Sequence, residues 1–316
     1  MRLFLLSGTL LSLAGVLQPS APTSFAVGVL RRDALIVPFA TYDGKEWQND
    51  WPVPANNADV PLSLRDVNKR WWGPVGPRDV WQIWAPNMPP QMVKVRQPDW
   101  APSYCQKQVG LRTDYRPQLR PPPPAASPYP KDGLAVSPPH PVERIEVLGP
   151  DSNERGDLVE AIHPRFVEQE HEAFETLIRG HASTPRQVPL PPNDAELRAT
   201  PSMVVETLYA YGVSPRTYFV ETAREYKRDG KCSVVLSGRG RIVRNSGKFA
   251  TGGFRVGITA CDRSNASYML PLGVMSLPGG VFWIAQISGW DRESYTIIDI
   301  TPQPGAKDLV TPGGGC

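Results

Sequence analysis

Histidine and cysteine are scarce in this sequence, and their scarcity limits the chemistry that it can support. Among 316 residues there are four histidines and four cysteines. No Cys-x-x-Cys pair occurs, so neither a thiol redox motif nor a zinc knuckle is indicated. The patterns Gly-x-Ser-x-Gly and His-Glu-x-x-His are missing too, which removes the usual signatures of a serine hydrolase and of a zinc protease. We therefore expect neither a metal site nor a cofactor.

The nearest approach to a metal motif is a pair of Glu-x-x-His units. Glu160 with His163, and Glu168 with His171, imitate the unit that occurs in di-iron helical bundles. Those bundles place the two units on separate, facing helices, whereas here the units are adjacent in sequence and separated by Pro164. The arrangement therefore favours structural roles for both histidines, such as hydrogen bonding at the edge of a core.

An excess of charge of one sign is also missing. The 34 basic and 31 acidic residues give a formal net charge of +3. A nearly neutral chain is not steered as a whole towards nucleic acid, so we expect no nucleic-acid partner. Beyond the N-terminus no stretch approaches the roughly 18 apolar residues that a spanning helix needs. We expect no transmembrane span in the mature chain.

The N-terminal segment has the features of an export signal. It reads MRLFLLSGTLLSLAGVLQPSAPTSFA, with one positive residue, a short apolar run and small residues before the expected cleavage after Ala26. The sequence therefore predicts a signal peptide over residues 1–26 and a secreted or periplasmic location. All four cysteines lie beyond this segment, in a compartment where thiols oxidise. We expect two disulfides among Cys105, Cys232, Cys261 and Cys316, with three connectivities open.

Proline indicates how the chain is organised. Residues 117–141 contain ten prolines and almost no periodic apolar pattern, which predicts an extended linker. The linker would separate a tryptophan-rich β domain at residues 27–116 from an α+β domain at residues 142–316 that ends in a β-meander.

Short β strands dominate the first region. The stretch VGVLRRDALIVPFATYDG predicts two strands joined at Arg32-Asp33, and further strands are expected at residues 80–84 and 91–95. Frequent prolines argue against long helices there.

The second region predicts helices followed by a sheet. Proline in the first turn and glycine at the C-terminal end are typical of helices. They indicate one helix from Pro164 to Gly180 and another from Thr200 to Gly212, and a further helical turn is an alternative before them. A hairpin is expected around Asp229-Gly230, although a helix over residues 215–229 is an alternative. Strands follow in GFRVGITA, YMLPLGVMSL, VFWIAQIS and ESYTIIDI. The predicted fold is β-rich α+β: a small N-terminal β domain, then a C-terminal antiparallel sheet with two or three helices.

Two features are candidates for ligand binding, and the first is a tryptophan cluster. Seven of the nine tryptophans lie between residues 47 and 100, including the adjacent pair Trp71 and Trp72. Neighbouring residues of a strand point to opposite faces, so one indole of this pair could be exposed for stacking on a sugar or a protein. The favoured interpretation is that the cluster forms the core of a domain with few aliphatic residues.

The second feature is a basic run from Arg224 to Arg255, with nine basic and two acidic residues. Arg239 and Arg241 share one face of a predicted strand and are the candidate ligand-binding pair. An anionic polysaccharide, a lipid headgroup or an acidic protein would suit a single basic face, although charges that protect a sheet edge against unwanted pairing are the favoured interpretation.

These observations favour an exported, non-catalytic binding or envelope-associated protein whose partner is a glycan, an anionic polymer or an envelope protein. The alternative is an extracytoplasmic hydrolase that acts on a polysaccharide through two carboxylates, which need no local motif. Candidates for such a pair are Glu221, Glu225, Asp291 and Glu293.

Overall fold

The computed structural model describes residues 24–49, 80–85, 88–116, 131–181, 201–301 and 308–316. This part of the chain contains sixteen β strands and one α helix. The prediction of a β-rich fold is confirmed. The prediction of two or three helices is wrong for the described residues, where only one helix forms.

The first sheet closes into a six-stranded barrel. Its strands follow the order β1-β7-β4-β5-β6-β2, and an additional β1–β2 pairing completes the circle; the short β3 extends β2 on one side. The strands are β1 Phe25–Arg31, β2 Leu35–Tyr42, β3 Trp47–Gln48, β4 Val80–Trp84, β5 Gln91–Ser103, β6 Gln106–Thr113 and β7 Lys131–Ser137. Every residue of β1 and β2 is buried, which agrees with their continuous apolar runs.

The predicted hairpin at the start of the barrel is confirmed. β1 and β2 pair antiparallel, and the turn between them includes Ala34 in a left-handed conformation with φ of 63°. The expected strand at residues 80–84 is β4, and the one expected at 91–95 is the first part of the longer β5.

Part of the predicted linker forms barrel wall. Within the range 117–141, β7 pairs with both β1 and β4, and its residues Leu134, Ala135 and Val136 are buried. The short apolar run of β7 is flanked by prolines, which dominate the composition of the range. Residues 117–130 lie outside the described part of the chain, and the position of a domain boundary remains a prediction.

The predicted signal peptide lies mostly outside the described residues, which begin at residue 24, and it remains a prediction. Phe25 and Ala26 are buried in β1, where Ala26 pairs with Thr41 and with Ser137. Cleavage after Ala26 would therefore remove two residues of the barrel core.

The second sheet has five antiparallel strands in the order β12-β11-β10-β9-β8. They are β8 Glu146–Val147, β9 Val204–Tyr211, β10 Arg216–Arg228, β11 Lys231–Asn245 and β12 Lys248–Thr259. The predicted hairpin at Asp229-Gly230 is confirmed, and both turn residues have positive φ, 51° and 75°. The alternative helix over residues 215–229 does not form.

The helix predicted from Thr200 to Gly212 is wrong, because these residues form β9. Val205, Leu208 and Ala210 are buried against the helix side of the sheet. The stretch is rich in β-branched and aromatic residues, which fit a pleated surface. A proline before it and a glycine after it can mark the ends of a strand as well as those of a helix.

The single helix, α1, runs over Asn153–His181 and begins eleven residues before the predicted start at Pro164. Leu158, Ile162 and Phe166 recur every four residues and bury one face. Pro164 lies inside the helix on its exposed side, where the missing backbone N–H can be compensated by water.

The third sheet is the predicted β-meander, extended by one strand. Its order is β13-β14-β15-β16, with β13 Ser267–Leu277, β14 Gly280–Gly289, β15 Arg292–Asp299 and β16 Leu309–Gly315.

The hydrophobic clusters show that the units stack in layers. One face of the third sheet, including Ile284 and Tyr295, joins the core of the barrel. Its other face, including Trp283, packs with Tyr209 of the second sheet. The far face of the second sheet packs against α1 through Phe166. The order is barrel, four-stranded sheet, five-stranded sheet and helix.

Two disulfides form, as predicted, and the structure settles their connectivity. Cys105–Cys316 joins the β5–β6 turn to the end of the chain, and Cys232–Cys261 joins β11 to the loop after β12. The described residues include no helix with the length and apolar character needed to cross a membrane.

Candidate anion-binding groove

A groove with a volume of about 290 Å³ opens between β11, β12 and the start of β13. β12 is the outer strand of its sheet, so the groove lies at the edge of the five-stranded sheet. Its lining is mainly polar and small: Ser237, Arg239, Arg255, Val256, Gly257, Ile258, Thr259, Asn265, Ala266 and Ser267. We call this feature the arginine groove.

Two guanidinium groups dominate the arginine groove. Arg239 and Arg255 are direct register partners on antiparallel strands, so their Cα atoms are about 5 Å apart. Both side chains are exposed. Arg239 donates a hydrogen bond to the hydroxyl of Ser267. Within the described residues, no carboxylate lies at ion-pair distance from either guanidinium.

Hydroxyl groups and an open floor complete the site. Ser237, Ser267 and Thr259 contribute hydroxyls, and Thr259 Oγ1 also accepts the backbone N–H of Asn265 at 3.3 Å. No atom lies within 4 Å of the position that a Cβ would take at Gly257. Because no side chain occupies that position, a ligand can approach the strand closely there.

A buried carboxylate lies next to the groove. Glu221, on β10, is the register partner of Arg239 and is only 3 % exposed. Its Oε1 accepts the backbone N–H of Met269 at 2.5 Å, and its Oε2 accepts the hydroxyl of Thr207. Burial raises the pKa of Glu221 to about 7, although these hydrogen bonds and Arg239 act in the opposite direction.

The electrostatics of Arg239 reflect the same surroundings. The side chain of Arg239 reaches solvent, but neighbouring atoms on the sheet partly desolvate its guanidinium, and this lowers the pKa of Arg239. The negative charge of Glu221 raises that pKa, and the positive charge of Arg255 lowers it. An arginine keeps its charge under such conditions, so the groove remains cationic across the physiological pH range.

The structure places the two predicted binding arginines differently. Arg239 lines the groove, whereas Arg241 does not: its Nη1 donates to the backbone carbonyl of Asp299 at 2.5 Å. An irregularity in the β11–β12 register separates the two positions, since Arg239 pairs with Arg255 but Arg241 pairs with Gly252. The local sequence could not show this shift.

Arg255 is the groove-lining arginine that the sequence-based choice of a pair missed. A signal for it existed, because the alternation of GFRVGITA places Arg255 on the face opposite the buried Phe254. The sequence does not show that β12 pairs with β11 in the register that places Arg255 opposite Arg239. Elsewhere in the basic run Arg224 is buried against Glu170, so the nine cations do not form one surface.

Trp71 and Trp72 lie outside the described residues, so a binding role for them remains a prediction. Of the other tryptophans in the cluster, Trp81 is fully buried, and Trp47 and Trp84 pack against the barrel core. These three indoles have the core role that the favoured interpretation assigned to the cluster.

The four carboxylates considered for hydrolysis have separate surroundings. Glu221 is bonded between β9 and β13, as described above. Glu293 is buried between the barrel and the third sheet, where it accepts hydrogen bonds from Ser103, Gln286 and Tyr295, each of 2.8 to 3.0 Å. Glu225 is exposed near Lys227, and Asp291 pairs with Arg292.

A second cavity, of about 160 Å³, lies between the barrel and β13. Its walls are mostly apolar, with Trp84, Met88 and Leu272 among them, and Glu143 is its only carboxylate. The arginine groove contains no carboxylate, so neither cavity holds the pair that glycoside hydrolysis requires. Among the described residues there is also no cluster of three side chains able to hold a metal ion.

No protein-family model matches the chain, and neither a curated protein nor a solved structure is significantly similar to it.

Proposed function

We propose that this chain is a non-catalytic, extracytoplasmic binding protein that holds an anionic ligand in the arginine groove. The observation that carries the proposal is the pair Arg239 and Arg255, two exposed guanidiniums side by side with no carboxylate partner in the described residues. Guanidinium groups bind carboxylate, sulfate and phosphate through paired N–H donors. Two of them on neighbouring strands can hold a single anionic group between them.

The lining of the groove favours an acidic sugar unit as that ligand. Ser237 and Ser267 can exchange hydrogen bonds with sugar hydroxyls, and the open position at Gly257 admits a ring close to the strand. A volume of about 290 Å³ is at the lower end of small-molecule sites, which fits one unit of a polymer at a time. The anionic polymer expected from the sequence is therefore the partner that we propose.

The extracytoplasmic location is part of the proposal. Two disulfides support it, because thiols oxidise in such compartments. In such a compartment the arginine groove would meet polysaccharides bearing sulfate or uronic acid groups.

The test is calorimetric binding of sulfated dextran oligosaccharides and oligogalacturonates to the full chain, with neutral dextran as the reference ligand. We expect binding of an anionic probe that weakens with salt and no binding of neutral dextran. Gly257→Val fills open space in the groove and should weaken binding at least tenfold. Gly252→Val is the matched control, since a Cβ there makes only ordinary contacts, the nearest at 3.9 Å.

The two variants separate the possible results. Both positions are on the same outer strand, so a general effect on β12 would change both. Equal binding by Gly257→Val and the unmodified chain would show that the groove is not the site. Weaker binding by Arg255→Gln, with Gly252→Val unaffected, would support it.

A further inference from the structure

We propose that Glu221 controls the strength of anion binding in the arginine groove through its charge: its ionised carboxylate, fixed in the sheet beside Arg239, offsets part of the positive charge of the groove, and protonation of Glu221 strengthens anion binding. This inference rests on the proposed function of the groove and adds a control on it. The same geometry that creates the groove places one buried carboxylate beside one of its two cations.

The carboxylate is fixed in position. Its two oxygens accept hydrogen bonds from different strands, one from the backbone of Met269 on β13 and the other from Thr207 on β9. Arg239 lies directly opposite on β11, in the row Thr207, Glu221, Arg239 and Arg255 that crosses the sheet. The carboxylate of Glu221 is therefore held beside the groove by contacts to two strands.

Other ionisable groups lie close to Glu221 in the sheet. Glu206 on β9 lies near enough to raise the pKa of Glu221, and it forms an ion pair with Arg263 from the loop before β13. Burial raises the pKa of Tyr209, on β9, well above the neutral range. Arg239 and Arg255 remain cationic. Because burial raises the pKa of Glu221 to about 7, its charge changes between pH 5.5 and pH 8.

The consequence is a change in local charge. At a pH above the pKa of Glu221, the charges of Arg239, Arg255 and ionised Glu221 add up to one positive charge. At a pH below that pKa, Glu221 is neutral and the sum is two positive charges. A single charge at this range, partly screened by solvent, is expected to change anion affinity about 3- to 10-fold. By reciprocity, a bound anion should make Glu221 easier to protonate by the same factor.

The experiment compares the affinity of the full chain for a sulfated dextran oligosaccharide at pH 5.5 and pH 8.0. The unmodified chain should bind about 3- to 10-fold more tightly at pH 5.5. Glu221→Gln keeps an acceptor for Met269 and a donor towards Thr207, and should bind equally tightly at both pH values. Glu225→Gln, on the exposed part of the same strand, is the control and should keep the unmodified profile.

Failure of this inference is distinct from failure of the proposed function. If Gly257→Val prevents binding but Glu221→Gln keeps the pH dependence, the groove binds the anion and the role of Glu221 is refuted. If Gly257→Val has no effect on binding, both proposals are overturned.

A measurement without ligand gives an independent result. The carboxyl ¹³C signal of Glu221 should titrate near pH 7, and its midpoint should rise in Arg239→Gln because a cation that favours the ionised form is removed. A midpoint near the ordinary value for glutamate, or one that Arg239→Gln leaves unchanged, would refute the coupling.

Discussion

At the scale of single residues, the most consequential group is a carboxylate that the fold holds out of water. Glu221 keeps two hydrogen bonds and the field of Arg239, yet burial dominates and raises the pKa of its carboxyl from 4.5 to about 7. The folded chain therefore holds this proton more tightly than the unfolded chain does. Its contribution to stability is most favourable below pH 4.5 and is lost progressively as the pH rises to 7.

We expect Glu221→Gln to increase the free energy of unfolding at pH 8 by up to about 3 kcal/mol, because the variant does not bury a charge. At pH 4 the variant and the unmodified chain should be nearly equal, since Glu221 is protonated in both states. Urea denaturation at the two pH values, with both disulfides intact, measures the difference. A stabilisation of the same size at both values would assign it to packing and not to titration.

At the scale of elements, the helix is attached to the five-stranded sheet by a buried ion pair as well as by apolar contacts. Arg224 on β10 donates through Nη1 to Glu170 Oε2 at 2.5 Å, and the hydroxyl of Tyr226 donates to Oε1 at 2.7 Å. The guanidinium carbon of Arg224 also lies 4.9 Å from the ring centroid of Phe166. Removing one member leaves the other charge buried without a partner, which is costly.

Glu170→Ala should therefore lower the free energy of unfolding by about 3 kcal/mol or more. Glu168→Ala, on the exposed side of the same helix, should change it by less than about 0.5 kcal/mol. Chemical denaturation of both variants gives the comparison. Similar small effects at the two positions would mean that apolar packing alone holds the helix.

Two elements, β9 and α1, differ from the secondary structure that the sequence predicts. Proline and glycine at the ends of the stretch that became β9 were compatible with either a helix or a strand, and pairing with β10 and β8 decided for the strand. For α1, the sequence predicts a start at Pro164 because proline is favoured in the first turn of a helix. The helix continues through it because the buried face begins earlier, at Leu158.

At the scale of the whole molecule, the disulfide Cys105–Cys316 attaches the end of the last strand to the barrel. Beside it, the hydroxyl oxygen of Ser103 lies 2.6 Å from the backbone carbonyl oxygen of Gly313 and 2.8 Å from Glu293 Oε1, within hydrogen-bond distance of both. The third sheet is thus connected to the barrel covalently, through buried polar groups and through the shared core. The second disulfide closes a shorter loop within the five-stranded sheet and its following loop.

In the chain-entropy account, a disulfide stabilises more when it closes a longer loop. The separation of 211 residues for Cys105–Cys316 corresponds to about 5 kcal/mol, and that of 29 residues for Cys232–Cys261 to about 4 kcal/mol. Replacing both members of each pair with serine should therefore lower the melting temperature more for Cys105–Cys316. Calorimetry of the two double variants tests this order, and the reverse order would contradict it.

Hairpins, the meander and the existence of two disulfides could be predicted from the sequence, because turn residues, alternation and cysteine number are local properties. Asp229-Gly230 is an example, where two residues suffice to indicate a tight turn. Only the tertiary structure decided three other features. These are the closure of the barrel by β7, the pairing of Cys105 with Cys316, and the strand register that places Arg255 beside Arg239. Each of these joins residues through strand register or over long separations, and register depends on which faces are buried when all the layers pack together.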